Sequence, residues 1–370
     1  MTFSFDTLRR WPDLEGPDQP AVDAADRLIL DESAASRDAV TRESIAVIGD
    51  GYGALALGAA AASASGVVRV HQDGIVGERA LAANAERAGL TGTVVSLPLS
   101  TELLAGADVV LLRLPKALDA LRDIAGTVAA HASPDVVLYA GARLKYMTVA
   151  MNGVLGEFFG RVDVTHARQK SRVLVARGPR HGRDPQPRRA THDGIVVCAY
   201  GGAFAGASID VGTRFLLAQL PETLPDDGAL VDLACGTGVV ASWLALRHPS
   251  RQVYASDESA VAVASARATA SANGVADRVT VVRDDALGAL PDGSAAFIAL
   301  NPPFHSGAAV HTGLASHLFA DAARVLRPGG ELWTVWNSAL RYRAELDTIV
   351  GPTRQIARND KFTVTASVRR

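Results

Sequence analysis

The tetrapeptide Asn301-Pro302-Pro303-Phe304 follows the apolar run AAFIAL and is the most informative group of side chains in the 370-residue chain. Two consecutive prolines make a rigid turn without amide donors, which leaves the carbonyl groups free to accept. The Asn301 side-chain oxygen and the Pro302 carbonyl can then take the two N–H bonds of an exocyclic amine conjugated to a base ring. Such a nitrogen is a poor nucleophile because its lone pair is delocalised. Two acceptors hold it in place and raise its electron density while a new N–C bond forms. Phe304 offers a face for a base turned out of its stack, worth about 1–3 kcal/mol. A duplex or structured substrate has to extrude that base first. In isolation Pro-Pro is a loop breaker; at the C-terminal edge of a parallel sheet it lies where ligands bind.

A second group lies in VDLACGTGVV. A dinucleotide loop needs a third glycine after Gly236-Thr237-Gly238, and Val239-Val240 stand there instead. Asp232, at the strand end, would repel a pyrophosphate but attract an ammonium group. Asp257 closes the next strand, where a carboxylate accepts both ribose hydroxyls. An ammonium-bearing amino acid joined to an unphosphorylated ribose is S-adenosylmethionine, and the pattern favours it over a nicotinamide dinucleotide. Asp284-Asp285-Ala286 ends a third strand: Asp285, in preference to Asp284, faces the adenine amino group, with the Ala286 N–H available to the ring. Ala234, Cys235 and Glu258 complete the candidate cofactor set. Cys235 reads as a small residue under the cofactor, not as a nucleophile.

Positioning these groups requires strands that end along one sheet edge. ALVDL (229–233), QVYAS (252–256), RVTVV (278–282), AAFIAL (295–300) and ELWTVW (331–336) read as continuous apolar strands. Helices are expected over Val239–Arg247, Ala260–Asn273, His311–Leu326 (stopped by Arg327-Pro328-Gly329-Gly330) and Ala339–Val350. Continuous apolar strands alternating with helices mean a mostly parallel sheet covered on both faces. TRQIA and FTVTASV add a closing antiparallel pair, for a seven-stranded sheet.

The chain says nearly the same thing twice. SIAVIGDGYGALAL, from Ser44, parallels ALVDLACGTGVVAS, from Ala229, and aligning Gly51 with Gly236 sets an offset of 185 residues. Asp73 then lies near Asp257, and Pro115 of LLRLPK near Pro302, at offsets of 184 and 187. The reading is a duplicated α/β unit: two tandem Rossmann-like class I methyltransferase domains, the first one degenerate. In that first copy Val47 replaces Asp232, Asp50 replaces Cys235, and Leu114 with Pro115-Lys116 replaces Asn301 and its prolines. The expected boundaries are a degenerate domain over 1–178, a Pro/Arg-rich linker over 179–190 and a catalytic domain over 191–370.

Composition agrees with this plan. A chain of this length exceeds one ordinary core, and 48% apolar with 21% charged residues is globular. The net charge of −2 excludes a general polycation, so nucleic acid has to meet local basic patches. Two such stretches exist: nine Lys/Arg against two acidic residues over 161–190, and seven against three over 341–370. Arg143 with Lys145-Tyr146 is a further phosphate-binding candidate, and His305 a further RNA contact. The two cysteines form no ligand cluster, so no metal is expected. The N-terminus lacks an apolar signal region and Gly53–Val68 stops short of a membrane span, which reads as a cytoplasmic protein without membrane contact. A monomer is expected, since a duplicated chain supplies its own pair.

Taken together, DLACGTG, SDESAVAV, DDAL and ALNPPFH resemble the bacterial ribosomal RNA guanine-N2 methyltransferases of the "methyltransferase small" group. SIDVGTRFLLAQLP (208–221), DESAVAV and the tail NDKFTVTASVRR are most similar to the large-subunit (23S) branch. The resemblance implies S-adenosylmethionine contacts at Asp232, Gly236, Gly238, Asp257 and Asp285, and target-base contacts at Asn301, Pro302 and Phe304. It implies ribosomal RNA, free or in a subunit, as partner, and a first half that orients RNA or steadies the active domain. Small-subunit (16S) RNA, adenine N6 and a protein glutamine amide stay open as targets of the same chemistry. A non-catalytic RNA-binding assembly module is the alternative of a different class.

Overall fold

The computed structural model describes residues 3–12, 19–62, 65–225, 227–303 and 310–370. It divides into two compact units, Met1–Gln186 and Pro187–Arg370. The first contains β1 (Ile45–Ile48), β2 (Val68–His71), β3 (Val94–Ser96), β4 (Val109–Arg113), β5 (Val137–Arg143), β6 (Phe159–Val164) and β7 (Ser171–Pro179). The second opens with a hairpin of β8 (Arg188–His192) and β9 (Ile195–Ala199). It continues with β10 (Ala229–Leu233), β11 (Val253–Asp257), β12 (Val279–Arg283), β13 (Ala295–Leu300), β14 (Leu326–Asn337), β15 (Thr353–Arg358) and β16 (Phe362–Val368).

Each unit is built on a seven-stranded sheet, and the two orders are the same: β3-β2-β1-β4-β5-β7-β6 and β12-β11-β10-β13-β14-β16-β15. In each order the sixth strand (β7, β16) runs antiparallel to both its neighbours, and the other pairs are parallel. Strands such as IAVI, VVLLR and AAFIAL are apolar on successive residues because helices cover both faces. One face of the second sheet buries Leu230, Phe297 and Val335, and the other Val231, Ile298 and Leu332.

Strands β10 and β13 are neighbours with opposite windings beyond them, the topological switch point where open α/β sheets bind ligands. Leu233 pairs with Leu300, so Ala234 and Asn301 leave the sheet side by side. In the first unit Ile48 pairs with Leu112 at the same place. The residue in the position of Asn301 is therefore Arg113, and not Leu114 as the sequence offset suggested. Likewise Val47 pairs with Val70 as Asp232 pairs with Ala255. Gln72 then holds the position of Asp257, and Asp73 lies one residue beyond it. An ungapped comparison of sequences cannot register such one-residue shifts between strands.

Within the stretch expected as a linker, residues 180–187 lie in no helix or strand, and the two ends belong to strands. Strand β7 runs to Pro179, the Arg180 and Arg183 N–H groups donate to Phe158 and Gly126, and β8 begins at Arg188. The boundary between units falls after Gln186. Arg327-Pro328-Gly329-Gly330 does not simply end the preceding helix, Val310–Val325; it lies within β14, where Gly329 has φ +77° and its N–H reaches the Arg369 carbonyl.

One seam fastens the start of each unit. From the helix Ala260–Ala272 and its C-cap, Ser265, Thr269 and Asn273 bond the Tyr200, Cys198 and Val196 backbone. In the corresponding helix Ile75–Arg87, Asn84 both accepts from Arg9 N–H and donates to the Arg9 carbonyl. Side chains one helical turn apart thus imitate a strand edge and cover a backbone that would otherwise be open.

Candidate active site

Strand β10 is apolar except for Asp232, which is 3% exposed. Its Oδ2 accepts from Ala241 N–H at 2.8 Å, and among the described residues no donor reaches Oδ1. Burial pushes this carboxyl up to about 7, against the Ala241 hydrogen bond and with a smaller push from Asp257. After the strand the chain turns sharply through left-handed residues: Ala234 (φ +55°), Gly236 (φ +52°) and Gly238 (φ +73°). A Cβ on Gly238 would lie 2.7 Å from that of Ala266, so this glycine supplies both the turn and the close approach of the helix Ala260–Ala272. A Cβ on Gly236 would meet nothing within 4 Å; its surroundings are open. Burial raises the Cys235 thiol, which favours its neutral form.

Asp257 ends β11 and bonds the loop directly, its Oδ2 accepting from Gly236 N–H at 2.8 Å and its Oδ1 from Ser259 N–H at 3.0 Å. Glu258 beside it is exposed. Beyond β12 the two adjacent aspartates separate in role. Asp284 is buried and accepts from Asp285 and Ala289 N–H, tying its own loop. Asp285 reaches outward to His317 Nε2 at 2.9 Å. Ala286 adopts φ +54° and its carbonyl accepts from the Ser256 hydroxyl.

At the end of β13 Asn301 is held by two partners from SIDVGTRFLLAQLP, a stretch whose resemblance to the family implied no role at the site. Its Nδ2 donates to Asp210 Oδ2 at 3.2 Å and to Thr213 Oγ1 at 2.9 Å. A carboxylate only accepts, so the amide must turn its NH2 toward Asp210. Asn301 Oδ1 is left buried and without a donor. Asp210 is itself fixed as the N-cap of the helix Val211–Leu217, accepting from Gly212 and Thr213 N–H. Pro302 is buried, and its carbonyl has no hydrogen bond among the described residues. Phe304 and His305 lie outside the described residues.

Asp232, Ala234, Cys235, Gly236, Thr213, Asp210 and Asn301 line one cavity, joined by Phe204, an exposed aromatic that the sequence did not single out. Gly238, Asp257, Glu258, Asp285 and Ala286 lie outside that lining, along the same sheet edge. The residues fit S-adenosylmethionine: a buried carboxylate with a spare oxygen for an ammonium, open space over Gly236, and further carboxylates at two successive strand ends. Among the described residues no group of three His, Cys, Asp or Glu side chains is placed to hold a metal ion, and no helix is long and apolar enough to cross a membrane.

The first unit keeps the scaffold and fills it differently. Asp23 caps the helix Ala24–Asp38 as Asp210 caps its own, but both Asp23 oxygens bind Arg113, which also pairs with Asp26 at 2.7 Å. Arg10 lies over Tyr52 of the glycine loop, 4.7 Å from the ring centroid. On the far turn after β5, Lys145 and Lys116 stand 4.6 and 5.2 Å from the half-exposed Tyr146 ring.

Two family models match the chain: the RLMG N-terminal domain over residues 1–180 and the Methyltransferase small domain over residues 194–366. The chain is 31% identical to the Ribosomal RNA large subunit methyltransferase G of Shewanella amazonensis, over 98% of this chain and 96% of that protein. It is 33% identical to the protein of the same name from Streptomyces avermitilis, over 98% and 97% of the two chains. Among solved structures it shares the fold of the 16S rRNA N2 methyltransferase (RsmC) of T. thermophilus, solved with AdoMet and guanosine. That match has a TM-score of 0.75 at 19% identity and covers 97% of each chain.

Proposed function

The chain belongs to the family of the ribosomal RNA large subunit methyltransferases G, and from that premise we propose that it methylates the exocyclic N2 of a guanine in large-subunit ribosomal RNA. Its activity is methylation of ribosomal RNA with S-adenosylmethionine as cofactor. The observation that carries the amine chemistry is Asn301 Oδ1, a buried acceptor with no partner, beside the free Pro302 carbonyl, and the choice of guanine rests on the family. Leaving such an atom unpaired costs about 1–3 kcal/mol, and an amine N–H removes that cost.

S-adenosylmethionine, when bound, supplies a methyl group on a sulfonium, already an excellent leaving group. The chain therefore contributes alignment and desolvation. Asp232 Oδ1 receives the ammonium, and Ala234, Cys235, Gly236 and Gly238 form the close-approaching loop. Asp257, with Glu258 beside it, takes the ribose hydroxyls; Asp285 and the Ala286 N–H take the adenine edge. Asn301 and Pro302 hold the two N–H bonds of the target amine, and Phe304 stacks on the extruded base. Asp210 and Thr213 act through Asn301 by fixing which way its amide faces. The first half orients RNA, and Lys116, Arg143 and Lys145 around Tyr146 are its phosphate contacts.

The test is labelled S-adenosylmethionine offered with large-subunit RNA, small-subunit RNA, assembled subunits and release factor from a strain lacking the gene, followed by digestion to nucleosides. Label in N2-methylguanosine from large-subunit RNA is expected. Label in methyladenosine, or in protein, would discard the guanine assignment.

A further inference from the structure

We propose that Asp210 is the residue that selects guanine, its carboxylate accepting the ring N1–H while Asn301 Oδ1 accepts from the amine next to it. The inference rests on the guanine reading above and adds the means of choosing the base. Asp210 Oδ2 is fully engaged: it accepts from Gly212 N–H at 2.8 Å, Thr213 N–H at 3.2 Å and Asn301 Nδ2 at 3.2 Å. Among the described residues no donor reaches Asp210 Oδ1, and Asp210 lines the same cavity as Asn301. Two neighbouring side chains that line one cavity thus each keep a spare oxygen, and each such oxygen can only accept.

That pattern matches one nucleobase edge. Guanine carries N1–H beside its exocyclic amine, two donors in a row. Adenine carries an exocyclic amine beside N1, and cytosine one beside N3; each places a ring lone pair where the carboxylate stands. A site built to hydrogen-bond a donor rejects the analogue that lacks it far more strongly than an apolar pocket rejects a misfit.

The first unit shows that the cap alone does not leave an oxygen over. Asp23 occupies the corresponding place, and Arg113 takes both of its oxygens, at 2.6 and 3.1 Å. Where Asn replaces Arg at the strand end, a single N–H bond replaces the two-pronged one and Oδ1 is released. Gly212 keeps the approach open, since a Cβ there would lie 2.9 Å from Asp210 Oδ2 and 3.6 Å from Asn301 Oδ1.

The experiment uses the full chain saturated with S-adenosylhomocysteine and three probes: guanosine, 2-aminopurine riboside and adenosine. 2-Aminopurine keeps the amine of guanine and lacks N1–H. The wild type should bind guanosine about tenfold or more tighter than 2-aminopurine riboside, the cost of leaving a carboxylate unpaired. Asp210→Asn keeps the helix cap and puts an NH2 group in place of Oδ1, so that preference should vanish or invert, with adenosine gaining. Asp210→Ser, which retains a capping oxygen, serves if the amide disturbs folding; it should lose the guanosine preference without gaining adenosine. Thr213→Val loosens Asn301 but leaves the carboxylate, and should lower turnover without changing the ratio. Equal binding of guanosine and 2-aminopurine riboside by the wild type would overturn the inference, as would an unchanged ratio in both Asp210 variants. Methylation of large-subunit RNA by the wild type is scored separately: N2-methylguanosine there, with an unchanged ratio, refutes the role of Asp210 alone. Label in another nucleoside refutes the guanine reading itself.

Discussion

Replacing Asp232 by Asn should stabilise the cofactor-free protein and cripple it as an enzyme. Asp232 is buried in β10, and burial lifts its carboxyl from the ordinary 3.8 to about 7. A carboxyl raised in the folded state contributes stability that is complete below about 3.8 and is lost as pH rises through about 7. At about pH 8, holding the charge costs the free protein on the order of 4 kcal/mol, since one pKa unit is about 1.4 kcal/mol. The amide keeps the acceptor for Ala241 N–H and carries no charge, so it escapes that cost. Between about pH 5 and pH 8 the variant should therefore gain roughly 2–3 kcal/mol on the wild type. Urea unfolding followed by tryptophan fluorescence measures this in the right unit, because Trp243, Trp333 and Trp336 all lie in the second one, with only Trp11 outside it. Cofactor affinity should move the other way, falling about 10–100-fold with the loss of a charge-assisted hydrogen bond. In the wild type that affinity should weaken below about pH 7, as Asp232 takes up its proton. Parallel stability curves for the two proteins from pH 5 to 8 would refute the argument from burial.

Other substitutions test other parts of the site. Asn301→Ala should leave cofactor affinity intact and lower turnover by about 100-fold or more, as for removal of an aligned transition-state partner, seen by single-turnover methyl transfer. Gly238→Ala has to place a Cβ 2.7 Å from that of Ala266 at φ +73°, and thermal unfolding should show a loss of about 1–3 kcal/mol or more. Gly212→Ala should unseat Asp210 and reduce turnover with little change in melting temperature. Removing Lys116 and Lys145 together should raise the KM for RNA at unchanged kcat and flatten its salt dependence by roughly 1.5 in the log–log slope.

Strands and helices of the second unit are legible because buried parallel strands are uninterrupted apolar runs. ALVDL and AAFIAL are found at the expected residues, as is the helix Val239–Arg247. The Asp232 and Asp257 positions follow from strand ends, which the same pattern locates. Asp210 and Thr213 were invisible because they act on Asn301 across some ninety residues with no shared periodicity. Their segment, SIDVGTRFLLAQLP, marks the branch by resemblance, but DVGT taken alone is an ordinary helix start. Arg113 and Gln72 were misplaced by one residue because loop lengths differ between the halves, and only strand pairing fixes the equivalence. The ribose carboxylate is thus lost from the first half together with the ammonium carboxylate and the amide.

The seam that fastens each unit's leading segment bears on how the protein came to have two halves. Asn84 and Thr269 occupy the same place on corresponding helices, and each bonds both the N–H and the carbonyl of one backbone residue, Arg9 and Cys198. Asp23 and Asp210 then cap corresponding helices further along. The duplicated unit accordingly included the leading segment. At the site the first half differs from the second by a few side chains on the same fold: Val for Asp at position 47, Gln for Asp at 72, and Arg for Asn at 113. What the first half lacks is thus confined to the site, while the sheet order and the seam that frame it are kept.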